Sequence, residues 1–118
     1  MILVDTSVWV AHFRKHIPEL ADALGSGHVL MHKIVLGELA CGNLLQRQRS
    51  LQWLQALPKC QAVSDSEALA FIEWQHLHGK GIGWNDVQLL AAAHLQKVKF
   101  WSMDKALHNA AKTLKLAY

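Results

Sequence analysis

Short apolar segments alternate with longer stretches of helical spacing along this chain, and no tight-turn signal joins any two of the apolar segments. Strands that cannot pair through hairpins must pair across crossovers. That constraint points to an α/β domain with a parallel sheet. The expected strands are ILV at 2–4, HVLM at 28–31, CQAV at 60–63 and VKFW at 98–101, with KLAY at 115–118 a candidate for a last one. Thr6 or Ser7 starts a first helix running to about Lys15. Pro18 suits the first turn of a second, which Gly25 and Gly27 end. Helical spacing from 33 to 57 breaks near Gly42 and Asn43, giving two helices, and Pro58 closes the second. Ser64 or Ser66 caps a helix over 67–78 that stops at Gly79, Gly81 and Gly83. Residues 85–97 carry the strongest helical pattern, and 104–114 carry another.

A chain of 118 residues points to one domain, 1–118, and its 52% hydrophobic content is enough for a core. The net charge of +3 permits an anionic partner. Cys41 and Cys60 form no metal-binding or redox spacing and read as free thiols of a reducing compartment. No apolar run is long enough to cross a membrane. The N-terminus lacks the basic start of a secretory leader, and Asp5 interrupts its apolar stretch. A cytoplasmic protein without membrane contact is the expectation.

Four acids stand in places that need an explanation. In parallel sheets ligands gather beyond the carboxyl ends of the strands. Asp5 follows the first strand, and Asp104 follows VKFW. Glu38 shares an apolar stripe with Ile34, Cys41 and Leu45. Asp86 shares one with Leu89, Leu90 and Ala93. Carboxylates directed into a core are costly unless paired or bound to a cation. Lys33 is nearby in sequence, but no Arg recurs with the acids. Each acid taken singly has a local account: Asp5 and Asp104 as helix N-caps, Asp86 as a favourable charge at a helix start. Glu38 has the weakest local account. Taken together, the four read as one oxygen-ligand cluster for a hard divalent cation, Mg²⁺ or Mn²⁺.

The motifs around these acids are LVDTSVW at 3–9, VLGELACG at 35–42, GIGWNDVQLLAAA at 81–93 and FWSMDKALHNAA at 100–111. With them, over nearly its whole length, the chain resembles the PIN-domain ribonucleases, and among these the VapC-like toxins of type II toxin–antitoxin pairs. The resemblance implies a three-layer α/β/α sandwich around a parallel sheet. It implies Mg²⁺- or Mn²⁺-dependent cleavage of RNA, with tRNA or rRNA as target, through Asp5, Glu38, Asp86 and Asp104. It makes Thr6, Ser7 and Ser102 the supporting hydroxyls, and it implies a cognate antitoxin and a homodimer. Lys33, Asn85 and Ser102 depart from the subgroup's usual proline, aliphatic residue and threonine. None of these departures removes a carboxylate.

Other features have plainer readings. His12 and His16 are spaced as a helical pair but read as a solvated face, and His76 and His78 do not pair on a helix. The five Trp read as core or interface, although Trp84 stands close enough to Asp86 to stack a base. Arg47 and Arg49, between Gln46 and Gln48, form the densest basic patch. They are the candidate phosphate contacts, against a solvated helix end. Setting the four site acids aside leaves five acids against twelve Lys and Arg. The rest of the surface is therefore more basic than +3. A PIN-like module that binds RNA or protein without cutting is the alternative, and an incomplete acid set would favour it. The absence of a Gly-rich phosphate loop argues against a nucleotide-dependent phosphotransfer enzyme.

Overall fold

The structure is a computed structural model that describes residues 1–118. Its strands are β1 (Ile2–Val4), β2 (Val29–Leu30) and β3 (Lys99–Trp101). Its helices are α1 (Thr6–Arg14), α2 (Pro18–Gly25), α3 (Lys33–Ala40), α4 (Arg47–Gln55), α5 (Asp65–Gln75), α6 (Trp84–Gln96) and α7 (Lys105–Thr113). The three strands form one sheet in the order β2-β1-β3, and both pairings are parallel. Helices α1, α3 and α4 pack together as one group, and α5 with α6 as another. The expected α/β/α architecture is the one found.

The central strand is wholly apolar and fully buried, as a strand paired on both edges and covered on both faces must be. Leu3, Phe100, Trp9, Leu89 and Leu90 share the core around it. Three consecutive alanines, Ala91 to Ala93, are buried in α6. Side chains this small let the helix axis come close to its neighbours.

Two expected strands are shorter than the sequence suggests. CQAV is not a strand. The parallel pairing there is one bridge, Met31 with Lys59, closed by bonds from Met31 N to Pro58 O and from Cys60 N to Met31 O. KLAY contributes a single bridge from Ala117 to Phe100. Each segment lies at the outer edge of the sheet, where only one side offers ladder partners. Of Ser64 and Ser66, Ser64 is the cap used, in a reciprocal capping box with Glu67. Helix α5 ends three residues before the expected 78, at Gln75, where His76 turns left-handed.

One cap was not legible in advance. His32 is fully buried at the N-cap of α3, and its Nδ1 accepts a 3.0 Å bond from the Ile34 amide. An accepting Nδ1 leaves the neutral ring's proton on Nε2, which has no partner. Protonation would put a donor where the cap needs an acceptor. Burial, and secondarily the charge of Lys33, lower the His32 pKa to about 4. The unfolded chain then binds a proton that the fold refuses between about pH 6.5 and about pH 4. Stability from this group is complete above that window and is lost as pH falls through it. His32→Asn keeps a capping acceptor that cannot titrate. Melting curves across the window should fall more steeply for the wild type than for the variant. Equal slopes would show that His32 is not the sensor.

Candidate metal centre

The β1–β3 ladder continues one residue past the strand, with the Asp5 amide donating to the Trp101 carbonyl at 2.9 Å. This delivers Asp5 and the Ser102–Asp104 segment to the same edge of the sheet. From β1 the chain crosses to one side for β2 and later to the other for β3. The carboxyl edge of β1 and β3 is thus a topological switch point, the place where α/β sheets open a crevice.

Asp5 is only 5% exposed. It occupies the N-cap position of α1 yet makes no capping bond there, so the helix-cap account of Asp5 fails. Its Oδ2 instead accepts from the Ser7 hydroxyl at 2.6 Å and the Ser102 hydroxyl at 2.8 Å. Ser102 is itself buried and accepts from the Asp104 amide at 3.0 Å, while Ser7 accepts from the Met103 amide at 3.0 Å. Two hydroxyls from opposite ends of the chain therefore hold one carboxylate oxygen and the backbone that presents Asp104. Thr6, next to Asp5, donates to Glu38 Oε1 at 2.7 Å and brings α3 to the group.

The other acids are less buried than their stripes suggested. Glu38 is exposed, and so are Cys41 and Leu45 of the same stripe. The stripe does not enter the core because α3 buries Val35 and Leu39 instead. Asp104 is exposed and does cap α7, its Oδ1 accepting from the Leu107 amide at 3.0 Å. Asp86 is half-buried, with Leu89, Leu90 and Ala93 buried on its stripe as expected. It accepts from the Gly83 amide at 3.2 Å. The capping roles of Asp86 and Asp104 and their place in the acidic group are therefore not alternatives.

Burial is the largest influence on Asp86 and raises its pKa. The Gly83 amide pulls the other way, and the charges of Asp5, Asp104 and Glu38 raise it further. The four acids thus stand within electrostatic reach of one another. Their hydrogen-bond partners are hydroxyls and amides, with no Lys or Arg among them. Coordination contact is a stricter test, and no three His, Cys, Asp or Glu side chains stand close enough to hold one ion. The expected single cluster is therefore not assembled. Like charges repel, and each carboxylate is drawn to its own local donor. The donor chemistry itself, all carboxylate oxygen, suits Mg²⁺ or Mn²⁺.

A match to the PIN domain family model covers residues 2–113. The chain belongs to the PIN-domain family. This PIN domain is similar to Ribonuclease VapC32 of Mycobacterium tuberculosis, in strains CDC 1551 / Oshkosh and ATCC 25618 / H37Rv. The identity is 37% over 111 residues, which are 93% of this chain and 90% of the relative. The crystal structure of FitAcB from Neisseria gonorrhoeae shares its fold, with a TM-score of 0.64 at 20% identity. That match covers 95% of this chain and 94% of the other.

The remaining sequence candidates divide. Arg47 donates through its guanidinium to the carbonyls of Gly42 and Ala40 and closes the loop before α4. Arg49 remains exposed in a shallow depression with Gln46 and Gln48. His12 Nδ1 accepts from the Ile17 amide at 3.0 Å, and its ring centroid lies 5.1 Å from that of His16. Of the five Trp only Trp9 is buried, while Trp53, Trp74 and Trp84 are exposed. Trp84, 42% exposed in the first turn of α6, stands two residues before Asp86.

Asp86 generates a pH prediction for the metal-free protein. A raised carboxyl pKa means that the fold binds the proton more tightly than the unfolded chain. The stability it contributes is present in acid and is lost as pH rises above the ordinary Asp range. Asp86→Asn keeps an acceptor for the Gly83 amide and removes the charge. In EDTA at neutral pH the variant should melt higher than the wild type, and the gap should close toward pH 4. A lower melting temperature for the variant would mean that the cap outweighs the repulsion.

Proposed function

We propose that residues 1–118 form a single nuclease domain, the toxin of a type II toxin–antitoxin pair, which hydrolyses RNA phosphodiester bonds with Mg²⁺ or Mn²⁺. The observation that carries this reading is that four carboxylates from four separate parts of the chain stand within electrostatic reach of one another beside the switch point of the sheet, with no cationic side chain bonded to them. Acids gathered against their own repulsion fit a site made for a cation. The likeness to Ribonuclease VapC32 supports the reaction class.

In this reading Asp5, Glu38, Asp86 and Asp104 hold the cation. Ser7 and Ser102 keep the Asp5 carboxylate in one orientation, and Thr6 does the same for Glu38. When bound, the cation supplies positive charge against the charge building on the scissile phosphate and makes water a stronger acid. Asp86 must give up its 3.2 Å bond to Gly83, or share it, for the acids to draw together. The target is tRNA or rRNA, the partners are an antitoxin and a second copy of the chain, and the site of action is the cytoplasm. No helix is long and apolar enough to cross a membrane.

A second reading is a PIN-like module that binds RNA or protein without cutting it. One observation favours it: no three acids converge to coordinating distance. Total RNA incubated with purified protein separates the two. Cleavage should need Mg²⁺ or Mn²⁺ and stop with EDTA. Asp5→Asn should abolish it, and Ser102→Ala should lower it about 10–100-fold by loosening Asp5. Expression of the wild type should slow bacterial growth, and Asp5→Asn should relieve this. Equal cleavage with and without EDTA would exclude the metal site, and no cleavage with either metal would leave the binding module.

A further inference from the structure

An open cleft of about 660 Å³ lies between the end of α5, the loop that follows it and α7. Gln75, His76, Lys80, Lys105, Asn109 and Thr113 supply its polar lining, and no carboxylate is among the lining residues. Each of these six side chains can donate a hydrogen bond, and two are full cations. Three other cations of the chain bond its own carbonyls: Arg47 those of Gly42 and Ala40, Lys59 those of Gln55 and Leu57, Lys99 that of Lys115. Lys80 and Lys105 line the cleft instead.

Both walls lead directly to the acids. Lys105 follows Asp104 in the chain. Next to the two lysines, the loop and α7 meet, since a Cβ at Gly81 would lie 3.7 Å from that of Ala106. Two residues further on, the Gly83 amide bonds Asp86. The cleft therefore begins where the acidic group ends. An acid-free, donor-lined cleft beside four carboxylates separates the cation's place from an anion's place.

We propose that this cleft holds backbone phosphates of single-stranded RNA next to the cleaved bond, with Lys80 and Lys105 as the phosphate contacts. The proposal rests on the nuclease reading for its substrate. The lysines act as point charges on the backbone, so the cleft positions the strand without reading its bases.

Binding of a short fluorescein-labelled oligouridylate, followed by anisotropy in EDTA from about 50 to about 200 mM salt, tests this without cleavage. Two single-strand phosphate contacts contribute roughly 1.4 to the slope of log affinity against log salt. Lys80→Ala/Lys105→Ala should lose that much slope. Its disadvantage should shrink about sevenfold from the low to the high salt. Lys15→Ala/Lys112→Ala removes the same charge outside the cleft and should change the slope far less. An unchanged slope in the cleft variant, or an equal loss in the control, overturns the cleft even if the wild type cuts RNA. The expected slope loss in a protein that cuts no RNA with Mg²⁺ or Mn²⁺ keeps the cleft and removes the nuclease reading. A wild type that binds no RNA removes both.

Discussion

The pairing of β1 with β3 is the interaction on which the rest of this molecule depends. It sets Ile2 to Val4 against Lys99 to Trp101 and carries on through the Asp5 amide. A buried carboxylate without compensation costs several kcal/mol. Here the cost is met at the end of the ladder, where Ser7 and Ser102 both donate to one oxygen of Asp5. Shift the register by one residue and Ser102 no longer faces Asp5, while the apolar faces of both strands turn over. The hydrophobic core and the polar site therefore demand the same register.

The acids show a compromise between local and collective demands. Asp86 and Asp104 each satisfy an amide at the start of a helix, as short acids do in many proteins. Their positions also bring them into the field of Asp5 and Glu38. Without a cation the local bonds prevail, because each offers a donor at no cost in repulsion.

Charge is distributed around this arrangement with some economy. The carboxylates gather at the switch point, while the cleft beyond α7 is lined by donors alone. Arg47, which stands out in the sequence as part of the densest basic patch, closes a loop instead. A guanidinium with several donors is well suited to holding carbonyls left over at a helix end. Arg49 of the same patch stays exposed, so the two arginines of one patch are used differently.

The alternation of apolar strands with helices, the parallel sheet and the placing of Asp5 and Asp104 just beyond strand ends were determined by the sequence itself. Periodicity and strand ends are local properties, and the motifs lie within single elements. Ser64 could be read as a cap for the same reason. Tertiary structure alone decided how deep each acid sits. The stripe holding Glu38 has helical spacing, but α3 ends at Ala40, turns Val35 and Leu39 inward and leaves Glu38 in solvent, while Leu45 lies exposed in the loop beyond it. CQAV and KLAY have strand composition, but at each edge of the sheet the pairing is a single bridge, through Lys59 just before CQAV and through Ala117 of KLAY. His32 as a buried cap and Lys80 as a cleft residue carry no local signal, since burial and the absence of nearby acids depend on what other elements bring. Spacing along a chain specifies which residues share a face. Which face meets the core, and which charges are left without partners, is settled only when all the elements compete for the same interior.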